Sequence, residues 1–482
     1  MRGIAGWKAP ARSFAHSTLV SRLTVAIVGG GASGALLATE LVRRSPHVRA
    51  VVIDPAERLG LGMAYATRCP AHLLNVPASR MSALADDPGH FTAWLAERYA
   101  GTYGPRSFVP RTVYGEYLVD VVEAARRDAG DRFEHVRASA LALASAESGP
   151  AVACSGGVTV RGDVLVVASG NSLPARWPGF DAEDAGHGAF FASAWAPQAL
   201  IPADPAETVL ILGTGLTAVD AILGLRHAGH RGVIFMVSRR GLIPNEHRFF
   251  DAPPPAAPEA QTMTDLFAAV RSAARESFAG SLDWRVAVDS LRPRTNALWQ
   301  ALTLEEQRRF VRHAMPYWNV HRHRMAPEVA AALADLTATG RLLMLAGTTR
   351  SVVANGGRFD IGIDLRGGRG RVQLEVDRVI NCSGPEHDVR RLDNPLLADL
   401  LAQGLLVPHA LGIGVDVAPD GALRGRDGVP SNRIYTLGPI RYGTLIETTA
   451  IPEIRDQVRE LASLLLERAG EDGAFTATVE RF

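Results

Sequence analysis

Two glycine-rich turns are the parts of this sequence whose residue types and spacing suit chemistry best. The first is Gly29-Gly30-Gly31-Ala32-Ser33-Gly34. It follows the apolar run Thr24-Val25-Ala26-Ile27-Val28 and opens onto a helix-like stretch, residues 35–42. The second is Gly213-Thr214-Gly215-Leu216-Thr217-Ala218. It follows Thr208-Val209-Leu210-Ile211-Leu212 and leads into a helix through Leu225. In such a unit the first glycine (Gly29, Gly213) permits a tight turn. The second (Gly31, Gly215) lets the backbone approach a diphosphate, and the third small residue (Gly34, Ala218) lets helix pack on strand. The helix starts, at Ala32 and Ser33 and at Leu216 and Thr217, offer unpaired N–H groups and partial positive charge to the phosphates.

The residues that close each unit's next strand differ. Asp54 ends Ala50-Val51-Val52-Ile53 about 20 residues past Gly34, where a carboxylate accepts from both hydroxyls of a ribose. The same place in the second unit holds Ser238-Arg239-Arg240. An acid there would repel a ribose 2′-phosphate, whereas guanidinium groups pair with it at ~1.5–3 kcal/mol per hydrogen bond. The sequence therefore points to FAD in the first site and NADPH in the second, with surface charge as the alternative role for the arginines. Holding both cofactors suits a protein that passes hydride from nicotinamide to flavin.

Each unit is followed by a similar phrase. One runs from Asp163 through Val164-Leu165-Val166-Val167 to Gly170, the other from Asp377 through Arg378-Val379-Ile380-Asn381 to Gly384. This internal duplication assigns Gly170 and Gly384 to the two cofactor sites. The expected fold is α/β, with two Rossmann-like dinucleotide-binding domains and a helical insertion. Residues 23–200 and 376–482 read as a discontinuous FAD-binding domain. Residues 201–375 read as an NAD(P)H-binding domain with its helical insertion at about 260–345. Residues 1–22, basic and without acids, read as a loose leader or an over-long start outside the fold. Near the C-terminus, 432–439 resembles the strand and glycine (Gly438) that close an FAD domain. Ile451 and Pro452 then start a helix aimed at the flavin pyrimidine, an interaction of ~0.3–1 kcal/mol. Asp86-Asp87-Pro88 reads as the cap of a helix at 91–99.

Composition narrows the field. The chain has 482 residues, 47% hydrophobic, with formal net charge +1, which does not suit a nucleic-acid binder relying on a basic field. No run approaches the ~18 apolar residues of a membrane span. Cys69, Cys154 and Cys382 are far apart with no Cys-x-x-Cys, which fits a reduced, cytoplasmic setting and excludes a local redox dithiol. Lys8 is the only lysine, so the folded body has neither a Walker A lysine nor a Schiff-base lysine.

Further phrases carry a family resemblance: Gly60-Leu61-Gly62-Met63-Ala64-Tyr65, His72-Leu73-Leu74-Asn75-Val76-Pro77, Arg80-Met81-Ser82, Phe108-Val109-Pro110-Arg111 with Tyr117-Leu118, and 238–244. With these the chain resembles an FAD/NAD(P)-binding flavoprotein family that includes FAD-dependent urate hydroxylases and aspartate-type N-hydroxylating monooxygenases. It resembles class B flavin monooxygenases more distantly. The resemblance implies that NADPH reduces FAD, that oxygen adds at flavin C4a, and that the resulting hydroperoxide delivers one oxygen atom to a small polar or anionic, nitrogen-rich substrate. It implies that Asn75, Met81 and Ser82 lie beside the isoalloxazine. Arg111 either faces the FAD adenosine or pyrophosphate or makes an interdomain salt bridge. The chain departs from the class B pattern: 190–195 has no histidine, so Baeyer–Villiger chemistry is not expected, and Pro439 stands where an acid is usual.

The helical insertion is the expected place of substrate selection. Trp318 and Arg322 are its substrate candidates, and His321 or His323 is the expected proton donor or acceptor near neutral pH. A His-x-His pair alone does not make a metal site, so no metal is expected. Two rival readings are an NAD(P)H oxidase or flavin reductase serving another acceptor, and a non-catalytic FAD-binding module.

Overall fold

The computed structural model describes residues 22–144, 149–176, 189–250, 262–279 and 283–476. The first unit comprises β1 (Leu23–Val28), α1 (Ala32–Arg44) and β2 (Val48–Ile53). The strands pair in parallel, from Leu23 opposite Val48 to Val28 opposite Ile53. Helices cover both faces of such a sheet, which explains why its strands read as nearly unbroken apolar runs. Next come α2 (Arg111–Ala129), β3 (Phe133–Val136) and β4 (Val164–Val167).

The second unit repeats the plan with β5 (Val209–Leu212), α3 (Leu216–His227) and β6 (Ile234–Ser238). Beyond it lie α4 (Met315–Arg322), β7 (Leu342–Asn355) and β8 (Arg378–Asn381), then β9 (Pro430–Thr436) and the long closing α5 (Ile451–Thr476). A six-stranded sheet runs Ala422–Arg424, β9, β4, β1, β2, β3. A seven-stranded sheet runs Arg371–Val376, Arg358–Leu365, β7, β6, β5, β8, Phe190–Phe191. The triplet β4-β1-β2 in one sheet thus corresponds to β8-β5-β6 in the other. The two copies also share a side-chain device: Thr24 N–H donates to the Asp163 carboxylate and Thr208 N–H to that of Asp377, both at 2.7 Å.

The expected domain limits shift. Phe190–Phe191 pairs with β8, and β8 pairs with β5, so both belong to the second sheet rather than the first. The cause is Arg378, whose buried guanidinium pairs with Glu207 at 2.6 Å, donates to Ile201 O at 3.0 Å and lies over the Phe191 ring. The chain therefore leaves the first sheet after β4 and returns to it only after β8. At the two crossings Pro174 bridges to Pro385, and Glu386 N–H donates to Leu173 O at 2.9 Å.

The helical insertion is described as six helices, from Met263–Ala279 to Pro327–Ala338. It is fastened to the first domain's C-terminal loop. The Asn296 amide grips both backbone groups of Glu447, and Trp299 Nε1–H donates to Gly443 O at 2.8 Å. The cap expected at Asp86-Asp87 is not formed. The helix begins at His90 behind Gly89, Asp87 accepts from Gly89 N–H, and Asp86 pairs with Arg43 at 3.1 Å. Among the described residues, no helix is long and apolar enough to cross a membrane.

Candidate dinucleotide sites

At the first turn Gly29 has φ 103°, and a Cβ on it would stand 2.2 Å from Ala168 O. A Cβ on Gly34 would stand 1.9 Å from Gly29 O, so the close helix–strand approach requires glycine there. α1 starts behind Gly31 with no side-chain cap and no acid in its first turn, leaving its N–H groups to an anion. The Gly60-Leu61-Gly62 phrase backs this turn: Gly60 N–H donates to Gly30 O at 2.8 Å, and Gly62 lies against Gly31. Asp54 accepts from Gly30 N–H at 2.6 Å and from Ala56 N–H at 2.8 Å, which fixes its carboxylate at the end of β2 with lone pairs to spare for a ribose.

Gly438 closes the cradle. Its φ is 81°, and a Cβ there would meet Ser33 Oγ at 2.6 Å. Its N–H donates to Gln457 Oε1 of α5 at 2.9 Å, and its carbonyl accepts from Thr448 Oγ at 2.7 Å. The start of α5 at Ile451 and Pro452 is thus tied to the start of α1. These residues fit a flavin dinucleotide: bare backbone around the turn, an anion-seeking helix start, and an acid for the ribose.

Other candidates have different employment. Arg111 forms an ion pair with Asp220 of α3 at 2.7 Å and donates to Leu73 O, the kind of contact its salt-bridge alternative calls for. The Ser82 hydroxyl donates to Asp87 O at 2.6 Å within its own loop. Its carbonyl accepts from Arg455 of α5 at 3.0 Å, which ties the loop to that helix. Met81 is buried, with its carbonyl accepting from Tyr114 OH, and Asn75 is half-buried on the same segment. Gly170 adopts φ 71° where the chain leaves the first sheet.

The Arg111–Asp220 contact encloses His72, whose Nε2–H donates to Asp220 O at 2.9 Å and whose Nδ1 accepts from Thr67 OH at 2.8 Å. Burial, reinforced by Arg111, holds the His72 pKa down at about 4. An unfolded histidine titrates near ~6.5. As pH falls from 6.5 toward 4, the unfolded chain takes a proton that folded His72 refuses. Stability therefore drops by up to ~1.4 kcal/mol per pH unit from this group, and the loss is complete below its folded pKa. Asp220, raised to about 6 by burial against the opposing pull of Arg111, acts in the other direction below pH 6. Urea unfolding at several pH values should show His72→Asn with a slope shallower by about one proton than the unmodified chain; an unchanged slope would refute the assignment.

The second turn repeats the first. Gly213 has φ 117°, with a Cβ position 2.2 Å from Cys382 O, and α3 starts uncapped and acid-free behind Gly215. A cavity of about 660 Å³ opens over it, lined by Gly213, Gly215, Leu216, Thr217, Ser238, Arg239, Gly384 and His387, with Asn319 and His323 contributed by the insertion. Ala218 is buried beneath the helix start. Ser238 Oγ accepts from Thr214 OH and Gly241 N–H, which sets the loop that carries Arg239. Arg240 points elsewhere: it donates to Arg312 O at 3.2 Å and lies over the Tyr317 ring. Only one of the two expected arginines borders the cavity.

In the insertion the expected substrate set does not converge. Arg322 is buried between Glu447 (3.1 Å) and Glu453 (3.2 Å), and Glu453 also binds Arg292 at 2.9 Å, so Arg322 fastens the insertion to the start of α5 instead of facing a substrate. Burial pushes the Glu447 carboxyl above its ordinary range, opposed by Arg322. Trp318 packs on the apolar cluster of Trp299, Phe310 and Ile446. His321 donates to Tyr317 O at 2.7 Å and meets Trp284 edge-on, away from the cavity. His323 does border the cavity, but burial, with Arg322 and Arg292 adding, holds its pKa at about 3. Sequence reasoning missed Glu447, Asp220 and His387, and gave Glu453 a place at the α5 start but not its pairing with Arg292 and Arg322. The available signal was the clustering of Arg292, Arg294, Arg322 and Arg324 in the insertion, whose charges need counter-charges wherever they are buried.

Comparison with known proteins agrees with this architecture. The family model described as FAD-NAD(P)-binding matches residues 26–172. No curated protein matches. The ornithine N-hydroxylase of Kutzneria sp. 744 is similar over 93% of this chain and 99% of its own, at 15% identity and TM-score 0.60. L-lysine 6-monooxygenase from Pseudomonas syringae is similar over 92% and 99%, at 15% identity and TM-score 0.64. The bacillithiol disulfide reductase of Staphylococcus aureus is similar over 93% and 99%, at 13% identity and TM-score 0.56. The chain thus has the fold of these enzymes over nearly its whole length, and the FAD-NAD(P)-binding family model falls on its first glycine turn and the strands around it.

Proposed function

We propose that this protein is an FAD-dependent, NADPH-consuming monooxygenase acting on a small, nitrogen-bearing substrate. The observation that carries the reading is the paired construction of the turns. Both offer bare helix starts, yet one closes on Asp54 and the other on Arg239. When bound, the two cofactors supply hydride transfer and oxygen activation. The chain's own residues bind and orient them: α1 and Gly438 for one, α3 and Arg239 for the other. The α5 start is held to Gly438 through Gln457 and to the Ser82 loop through Arg455. Disulfide reduction is disfavoured, because the three cysteines are unpaired and burial pushes the Cys382 thiol far up. The likeness to enzymes named as ornithine and lysine hydroxylases supports a nitrogen-bearing substrate.

Arg239→Ala should weaken NADPH about tenfold or more while leaving NADH unchanged, since in this reading the guanidinium pairs with the 2′-phosphate that NADH lacks. Steady-state KM values for both nucleotides check this, and equal losses would refute the assignment. The function itself is tested by screening amines, amino acids and purines for faster NADPH oxidation, with peroxide subtracted. Stoichiometric hydroxylated product supports it. NADPH use that ends wholly in peroxide for every compound favours the oxidase reading.

A further inference from the structure

The cavity over the second turn extends to the crossing where the chain returns to the first domain, and His387 stands at that end. The same residue borders a smaller hollow lined by Ser169, Gly170 and Pro439, on the side of the first turn. His387 thus borders both hollows. Its imidazole lies nearly parallel to the Tyr442 ring, with centroids 4.7 Å apart and planes inclined by 22°. Both rings are held. His387 O accepts from Gly414 N–H at 2.7 Å, Tyr442 N–H donates to Pro439 O at 3.1 Å, and Tyr442 OH donates to Met315 Sδ of α4. Among the described residues the His387 ring nitrogens have no hydrogen-bond partner. Burial lowers the His387 pKa, opposed by Glu386, so the ring is neutral at pH 7 and does not repel a cationic ring.

We propose that His387, backed by Tyr442, is the platform on which the nicotinamide ring of the dinucleotide docks. The assignment rests on the NADPH reading of the second site. A flat, uncharged, rigidly supported ring suits this task, because aromatic pairs gain from offset stacking and a fixed ring loses little freedom on binding. Arg239 borders the same cavity beside the strand end Ser238 and addresses the other half of the ligand, the 2′-phosphate.

Calorimetric titration of the FAD-loaded protein separates the halves, using NADP+ and adenosine 2′,5′-bisphosphate, which lacks nicotinamide. His387→Ala should weaken NADP+ about tenfold and leave the bisphosphate unchanged. His387→Phe, which keeps a flat ring, should stay within about twofold of the unmodified protein for both ligands. Equal effects on the two ligands, no effect on either, or a phenylalanine variant as weak as the alanine one would overturn the platform. A second measurement needs no variant: NADP+ should protect His387 from carbethoxylation by diethyl pyrocarbonate, and the bisphosphate should not. Equal labelling with both ligands overturns the proposal. If the unmodified protein binds neither ligand, the NADPH reading itself fails and the platform falls with it.

Discussion

Gly29→Ala should yield a colourless protein, whereas Gly213→Ala should yield a yellow one that NADPH does not bleach. Each glycine occupies a left-handed backbone conformation, at φ 103° and 117°. Holding a non-glycine residue in such a region costs about 1–3 kcal/mol. The larger obstacle is contact. The added Cβ would fall 2.2 Å from Ala168 O in the first turn and 2.2 Å from Cys382 O in the second. Neither carbonyl is free to retreat: Ala168 N–H is bonded to Val28 O at 2.7 Å and Cys382 N–H to Leu212 O at 2.8 Å, each at the end of its sheet. The turn must open, and the N–H groups of the following helix then lose their aim at the diphosphate. Because the two turns lie in different sheets, the two losses are separable. The absorption spectrum after purification reads the first, and anaerobic mixing with NADPH reads the second. Two yellow proteins that both bleach normally would remove the physical basis of the dinucleotide assignments.

Glu453→Ala should be the most destabilising single change at the junction of insertion and first domain. Glu453 lies in the first turn of α5 and binds Arg292 and Arg322 together, and all three side chains are largely buried. Removing the carboxylate leaves Arg292 without its ion-pair partner and Arg322 with Glu447 alone. Stripping one partner from a buried ionic group costs about 3–5 kcal/mol, because the remaining charge stays desolvated. The orientation also matters, since an acid in the first turn favours the helix start. Chemical denaturation should show the loss, Glu453→Gln should recover part of it, and FAD retention should fall in parallel because the α5 start meets Gly438 through Gln457. A midpoint unchanged in the alanine variant would mean that water, not Glu453, solvates the two guanidinium groups.

The glycine turns, the duplication and Asp54 were legible because diphosphate chemistry dictates residue type at fixed spacing, so local sequence is sufficient. Arg239 and Arg240 show where that sufficiency ends. They are neighbours at the end of β6, yet one borders the cavity and the other crosses to Tyr317. Both lie in the bend just past the strand, where nothing local says which side chain points inward. Arg111 and Arg322 were visible as charges needing partners, and their partners, Asp220, Glu447 and Glu453, come from remote segments that only the assembled fold brings near. His323 illustrates a third limit. Its reach to the cavity followed from its position in the insertion, but its low basicity depends on burial and on two arginines around it. His387 had no sequence signal at all, since its significance comes from standing between two hollows and against Tyr442.

The two chain crossings at Leu173 and Glu386 touch, so the second domain departs and comes back through a single doorway. A polypeptide loop closed at its neck in this way could be lifted out and its stumps spliced without pulling apart any strand of the first sheet. Ancestral grafting of one copy of a duplicated gene into the other would leave such a scar, and domains tolerate insertion most readily where the two ends lie side by side.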